Sequence, residues 1–143
     1  MPKIKTDRTR KRTQARELAL QCLYMIDQRP DLTNDEIRAF MNEKASENSI
    51  REYAWKLYTG VLDCRDALDE KIQSIATNWQ IHRMPIVDRN ILRIASYEIM
   101  HLEDIPRKVA INEAIEMAKK FSTAGSGAFV NGILDKIEPQ TAK

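Results

Sequence analysis

Apolar residues recur at three- and four-residue intervals through most of the chain, the spacing of one face of an α-helix. The first stripe contains Ala15, Leu18, Ala19, Cys22, Leu23 and Ile26. It ends before Pro30, because proline cannot continue a helix and disfavours helical geometry in the residue before it. The pattern predicts a first helix from about Thr13 to Gln28.

Two pairs of polar residues predict where the next helices begin. Thr33 and Glu36 have the spacing of a capping box, and so do Ser49 and Glu52. The second pair opens a long apolar stripe whose members include Leu57, Val61, Leu68, Ile72 and Trp79. Gly60 within this stripe predicts either a kink or a break.

Prolines and glycines mark the remaining helices. Pro85 suits the first turn of one helix, with Asp88 near its positive end, and Pro106 ends the connection that follows. The small, polar residues 122–127 predict a mobile loop, with Ser126 a candidate N-cap for the last helix. About seven helices joined by short links predict an all-α bundle.

The composition is typical of a soluble globular protein. Hydrophobic residues make up 43% of the 143 positions, and only four glycines and five prolines leave little room for the turns of an all-β fold. Cys22 and Cys64 each lie in a helical apolar pattern, which predicts buried free thiols. No signal peptide or membrane-length apolar run is visible, so we expect a cytoplasmic protein.

Positive charge is concentrated at the start of the chain. Residues 1–16 contain seven Lys or Arg and one Asp, a net charge of +6, so the other 127 residues carry −4. This asymmetry predicts a polyanion site at one end of the molecule. We therefore divide the chain into a basic arm (1–12) and one all-α domain (13–143), with subdomains of about 13–80 and 81–138.

Two arginines extend this basic arm into the first helix. Arg12 and Arg16 are four residues apart, so both should project from one face, off the apolar stripe. Arginine can hold a phosphate through two hydrogen bonds, and phosphates attract cations regardless of base sequence. The alternative is a solvated basic tail without a specific partner.

The sequence shows no cluster of residues typical of an enzyme active site. His82 and His101 lie outside any cluster of cysteines or histidines, so we expect no catalytic residue, no metal site and no cofactor. The Gly125-Ser126-Gly127 stretch is too short for a phosphate loop, although its glycines would let a ligand approach the backbone. The chain is therefore predicted not to be an enzyme.

Few aromatic residues are available to stack on bases. Phe, Trp and Tyr make up 6% of the chain, too few for a broad stacking surface. Phe129 follows the glycine-containing loop, where it could stack on a base or seal the core. Tyr24, Tyr58 and Tyr97 fall on or beside helical stripes and are predicted core residues with a solvated hydroxyl.

Several motifs carry a resemblance to a known family. They are Ala15-Arg16-Glu17 with Ala19-Leu20-Gln21 and Leu23-Tyr24; Asp88-Arg89 with Ile91-Leu92-Arg93, Ala95, Tyr97 and Glu98; Ala-Ile-Asn-Glu-Ala-Ile-Glu from Ala110, continuing to Phe121; and Phe-Val-Asn-Gly-Ile-Leu-Asp from Phe129. In this order and spacing they resemble the NusB family of bacterial antitermination factors, over nearly the whole chain.

The resemblance implies a fold of two small packed helical bundles and a function in transcription. It implies binding to the single-stranded boxA element of leader RNA, notably in ribosomal RNA operons, together with NusE, a small-subunit ribosomal protein. The complex would join the RNA polymerase elongation complex with other Nus factors.

The resemblance also implies site residues. The family's basic helix start corresponds to Arg12 and Arg16, and its RNA-contacting aromatic corresponds to Phe129. The protein-partner positions correspond to Tyr24 and Asp88. These expectations place RNA and a NusE-type protein on different residues.

This chain departs from the family at two places. Two family arginines are replaced by Thr13 and Gln14, with Arg8, Arg10 and Lys11 just upstream to compensate. The loop before Phe129 has Gly125, Gly127 and Ala128 where many members carry charged or polar residues. Weaker RNA binding in the absence of the partner is the expected consequence.

Two other functions fit less of the sequence. An RNA cytosine methyltransferase can begin with a similar helical domain, but it needs a cofactor-binding α/β domain and a nucleophilic cysteine, for which this chain has no room. A pure protein-interaction module, with the arm only solubilising, predicts that deleting residues 1–11 leaves RNA binding unchanged.

Overall fold

The computed structural model describes residues 5–140, and over this range it contains seven α-helices, one short 3-10 turn and no strand. The helices are α1 (Asp7–Gln28), α2 (Asn34–Lys44), α3 (Asn48–Asp63), α4 (Arg65–Ile75), α5 (Ile86–His101), α6 (Arg107–Phe121) and α7 (Ser126–Leu134), with the turn at Ile81–Arg83. The predicted all-α class with about seven helices is confirmed. Lys3 of the basic segment lies outside the described residues.

The first helix begins earlier than the apolar pattern predicted. It starts at Asp7 rather than near Thr13, because the Thr6 hydroxyl accepts a hydrogen bond from the Thr9 amide at 3.1 Å and caps the helix. Asp7 lies in the first turn, where its charge favours the positive end of the helix dipole. Residues 7–12 are therefore helical, whereas the sequence had assigned them to an arm.

One of the two predicted capping boxes is confirmed. The Thr33 hydroxyl accepts from the Glu36 amide at 3.1 Å, and the Glu36 carboxylate accepts from the Thr33 amide at 3.0 Å. The box at Ser49 is wrong, because α3 begins at Asn48 and Ser49 lies inside it.

The long apolar stripe after Ser49 forms two helices, and the break falls at Cys64 rather than at Gly60. Gly60 stays inside α3, where the ring of Tyr97 packs onto it. A Cβ atom at Gly60 would stand 2.2 Å from Cζ of Tyr97, so only glycine lets the ring approach this closely. Trp79 lies beyond the end of α4, outside the helix that its apolar character had suggested.

The chain divides into two compact units, and the boundary falls within α3, between Tyr58 and Thr59. The sequence had placed the boundary near residue 80. In the first unit α1 contacts α2, and its core includes Leu23, Ile37, Met41, Ala54, Leu57 and Tyr58. In the second unit α5 contacts α4, α6 and α7, and the core includes Leu68, Ile91, Leu92, Ile94, Met117 and Leu134.

The two cysteines differ in exposure. Cys22 is buried in α1 as predicted, and burial raises the pKa of its thiol to about 12. Cys64, also predicted to be buried, is only half-buried because it lies at the junction between α3 and α4. Both are free thiols.

Candidate nucleic-acid interface

The first turns of α1 present the predicted basic residues on a regular helical scaffold. Arg8 and Arg10 are exposed, and Lys11 and Arg12 are half-buried. Arg8 and Arg12 are one turn apart, so they share a face with Lys11 beside them. Helix formation from Asp7 onward therefore fixes the spacing of cations that a flexible arm would leave variable.

Three of these cations converge on an open pocket of about 300 Å³ in the first unit. α3 supplies the opposite wall, with a ring and a hydroxyl group from its first turns. The lining residues are Asp7, Arg8, Lys11, Arg12, Ser49 and Tyr53. Because free amides and the dipole at a helix N-terminus favour anions, the start of α3 adds to the attraction of the three cations. The pocket has the chemistry of a phosphate site.

The carboxylates of Asp7 and Glu47 already form ion pairs with basic residues at this pocket. Asp7 accepts from Arg10 at 2.5 Å and lies 3.1 Å from the Lys11 ammonium, which also lies 3.0 Å from Glu47. The hydrogen bond from Arg10, followed by that from Lys11, lowers the pKa of Asp7, so its carboxylate stays ionised. The hydrogen bond to Glu47, and then that to Asp7, raises the pKa of Lys11. An incoming phosphate would compete with these carboxylates.

Tyr53 lies near both arginines that the sequence had paired. The Arg12 guanidinium lies over its ring, 4.5 Å from the centroid, and that of Arg16 lies 5.8 Å away. Arg16 is only 1% exposed, so the expectation that both arginines lie off the apolar stripe is wrong for Arg16. Arg12 borders the pocket, whereas Arg16 is part of the interior.

Phe129 lies in the second unit, near the start of α7, and is half-buried. Its ring meets that of Trp79 edge to face, with centroids 6.1 Å apart and planes at 75°. Gly125 precedes α7 with φ +94°, a conformation that favours glycine, and a Cβ there would meet nothing within 4 Å. The glycine loop therefore leaves open space beside the start of α7.

Asp88 is a buried anchor for this same loop. It is 4% exposed, and its carboxylate accepts from the hydroxyls of Ser122 at 2.5 Å and Ser126 at 3.1 Å. Ser126 is thus not the N-cap, a position that Gly125 takes. The resemblance implied partner contact at Asp88, but its oxygens face the loop hydroxyls in this structure.

The tyrosines predicted to be core residues differ from one another. Tyr58 is buried and Tyr97 is half-buried against Gly60. Tyr24 is 42% exposed, so the prediction of a core residue is wrong for it. It lies on the outer side of α1, which leaves its ring accessible to a partner.

Sequence reasoning missed three residues of these sites. Ser49 was interpreted as a cap, Tyr53 was not singled out, and Trp79 was placed on an apolar stripe. Nothing local to α3 signals that Tyr53 meets Arg12, since the contact joins residues 41 positions apart. The position of Trp79 outside a helix could have been predicted, because Asn78 before it and Pro85 after it interrupt the helical pattern.

The described residues contain no group of three His, Cys, Asp or Glu side chains suited to a metal ion. None of the helices in residues 5–140 is long and apolar enough to span a bilayer. His82 and His101 are both exposed, and the latter stacks obliquely on Tyr97 with centroids 5.4 Å apart.

Comparison with known protein sequences gives consistent matches. The model of the NusB family matches residues 13–139. A protein of Trichlorobacter lovleyi named transcription antitermination protein NusB is 49% identical over 127 residues, which are 89% of each chain. A protein of the same name from Anaeromyxobacter dehalogenans is 46% identical over 90% of this chain and 91% of its own.

Solved structures match over similar lengths. T. maritima NusB superposes with a TM-score of 0.79 at 34% identity, covering 94% of this chain and 92% of its own. A chain from a crystal structure of antitermination factors NusB and NusE in complex with dsRNA gives a TM-score of 0.79 at 28% identity, covering 92% and 97%. On these matches the chain belongs to the NusB family, a family of antitermination factors and not of enzymes.

Proposed function

We propose that this chain is a transcription antitermination factor that binds boxA-like single-stranded leader RNA of ribosomal RNA operons, together with a NusE-type ribosomal protein. The observation that carries the proposal is the pocket between α1 and α3, where Arg8, Lys11 and Arg12 face the N-terminal end of a helix. Such a site suits a phosphate of the RNA backbone, because charge and hydrogen-bond donors converge on it.

Each basic residue has a part in this proposal. Arg8, Lys11 and Arg12 contact phosphate, and exposed Arg10 adds to the positive field around them. Arg16, buried beside Tyr53, holds the ring on which Arg12 lies and so positions Arg12. In the second unit, Phe129 contacts a base. The first unit would thus supply backbone attraction, and the second unit would supply a base contact.

Family membership supports the proposed partner and setting. A related NusB has been solved with NusE and dsRNA, which supports a partner of this type here. We assign Tyr24 to the partner surface because its ring is exposed, and we assign Asp88 an indirect part through the loop that it anchors. The assembly would act with other Nus factors on the RNA polymerase elongation complex, in the cytoplasm.

The test is a salt-titrated binding assay with a fluorescent boxA-like RNA. A scrambled strand and a duplex of the same boxA sequence serve as controls, and each RNA is measured with and without the NusE-type protein. We expect preference for the single-stranded boxA sequence, a preference that the partner increases, and weaker binding as salt rises.

Two results would contradict the proposal. Equal binding to boxA-like and scrambled RNA would reduce the pocket to a general polyanion site. Partner binding without any RNA binding would favour the protein-interaction module, and deleting residues 1–11 would then change neither measurement.

A further inference from the structure

We infer that Trp79 forms, with Phe129, a platform on which one unpaired base of the RNA stacks. The inference rests on the proposed RNA binding and adds a base-recognition residue that the sequence motifs did not suggest. Trp79 is 56% exposed, the largest exposed fraction among the large hydrophobic side chains of the described residues. Its edge-to-face contact with Phe129 leaves ring surface open to solvent.

The loop that carries Trp79 is held in place although the ring is exposed. The side-chain amide of Gln73 donates to the carbonyl oxygens of Ala76 at 3.0 Å and Trp79 at 2.6 Å. Its oxygen accepts from the Ile81 amide at 2.8 Å. One side chain thus satisfies three backbone groups of a single loop. Because the loop is already ordered, a ligand stacking on Trp79 pays little additional conformational entropy.

The surroundings of the aromatic pair favour a nucleic acid over a protein. Phe129 lies in the first turn of α7, whose N-terminal end begins three residues before it. His82 and Arg83 are exposed in the turn that follows Trp79. An exposed aromatic ring followed four residues later by an exposed arginine suits a stacked base with a phosphate beside it. Gly125 adds no side chain to the open space before α7.

Binding of boxA-like RNA to the Trp79→Leu and Trp79→Phe variants tests the platform. Leucine keeps apolar bulk but removes the ring, so we expect affinity to fall about 5- to 150-fold, the range for loss of one stacked base. Phenylalanine keeps a ring face and should recover most of the affinity. The salt dependence should be unchanged in both, because no phosphate contact is lost. Thermal unfolding of each variant verifies that the fold is retained.

A spectroscopic measurement gives an independent readout. In a Trp55→Phe background Trp79 is the only tryptophan, so its fluorescence reports on this site alone. Saturation with RNA should quench the emission, since a base stacks on the indole.

Unchanged emission at saturation, or equal affinity of Trp79→Leu and wild type, would overturn the platform while leaving RNA binding intact. Loss of NusE-type binding alone in Trp79→Leu would instead assign Trp79 to a protein contact. Absence of RNA binding by the wild type would overturn both proposals.

Discussion

Arg12 and Arg16 are one turn apart on α1 but have different surroundings. Arg12 borders the pocket with its guanidinium over Tyr53, whereas Arg16, near the same ring, is almost completely buried. Helical spacing correctly puts them on related faces, yet it cannot tell which face a neighbouring helix covers. Arg12 is therefore suited to bind an anion, and Arg16 is suited to hold Arg12 in place.

Asp7 limits the positive charge that the pocket can offer. The substitution Asp7→Asn removes one negative charge and the ion pairs of Asp7 with Arg10 and Lys11, while the ion pair between Lys11 and Glu47 remains. We expect RNA affinity at low salt to rise roughly two- to fivefold, with the gain shrinking as salt screens the charges. Because the pKa of Asp7 is already lowered below 3.8, acidifying to about pH 5 does not neutralise it. Only the substitution, and not mild acidification, therefore removes the negative charge of Asp7.

A matched control is available in the same unit. Asp31 is also exposed and paired with an arginine, Arg29, at 2.9 Å, but it does not line the pocket. Asp31→Asn changes the net charge equally and should leave RNA affinity nearly unchanged. Circular dichroism would verify that Asp7→Asn keeps α1 helical. Equal gains in both variants would show that net charge, not the pocket, is responsible.

At the level of the helices, Gly60 is a position where α3 has no room for a side chain. Gly60→Ala would put a methyl group within 2.2 Å of the Tyr97 ring, so the ring or the helix must move. We expect a loss of about 1–3 kcal/mol in the free energy of unfolding, measured by urea denaturation.

Gly132 provides the comparison for this prediction. It lies inside α7, and a Cβ there meets nothing within 4 Å. Gly132→Ala should therefore gain up to about 1 kcal/mol from the better helix propensity of alanine. Similar losses at both glycines would mean that backbone flexibility rather than the Tyr97 contact is decisive.

The helices that could be predicted from the sequence were those with an apolar stripe or a local cap. The Thr33 box depends only on groups three residues apart, so its pattern was sufficient. The start of α1 was missed because residues 7–14 contain no apolar residue to reveal a period, and because Thr6 has Thr9 rather than Glu or Gln three residues on and so shows no capping-box pattern. The break at Cys64 has no glycine or proline to mark it. Contacts across the fold, such as that between Gly60 and Tyr97, have no local signature at all.

For the molecule as a whole, the charge distribution was the most informative property of the sequence. A net charge of +6 on residues 1–16 against −4 on the rest pointed to a polyanion site before any contact was known. It could not show that α3 contributes Tyr53 and Ser49 to that site, or that Asp7 and Glu47 pair with its cations. Those features depend on which helices meet, and they determine where a phosphate would be held.

The most direct test of this account is the salt dependence of RNA binding in two triple variants. One replaces Arg8, Lys11 and Arg12 by alanine; the control replaces the exposed Lys71, Lys108 and Lys136, which lose the same charge in the second unit. Affinity for boxA-like RNA is measured from about 50 to about 300 mM salt. We predict that the pocket variant loses affinity and that its log–log salt slope becomes shallower by at least about 0.7, the contribution of one phosphate contact on a single strand. The control should keep the wild-type slope, and equal slopes in the two variants would contradict a phosphate site between α1 and α3.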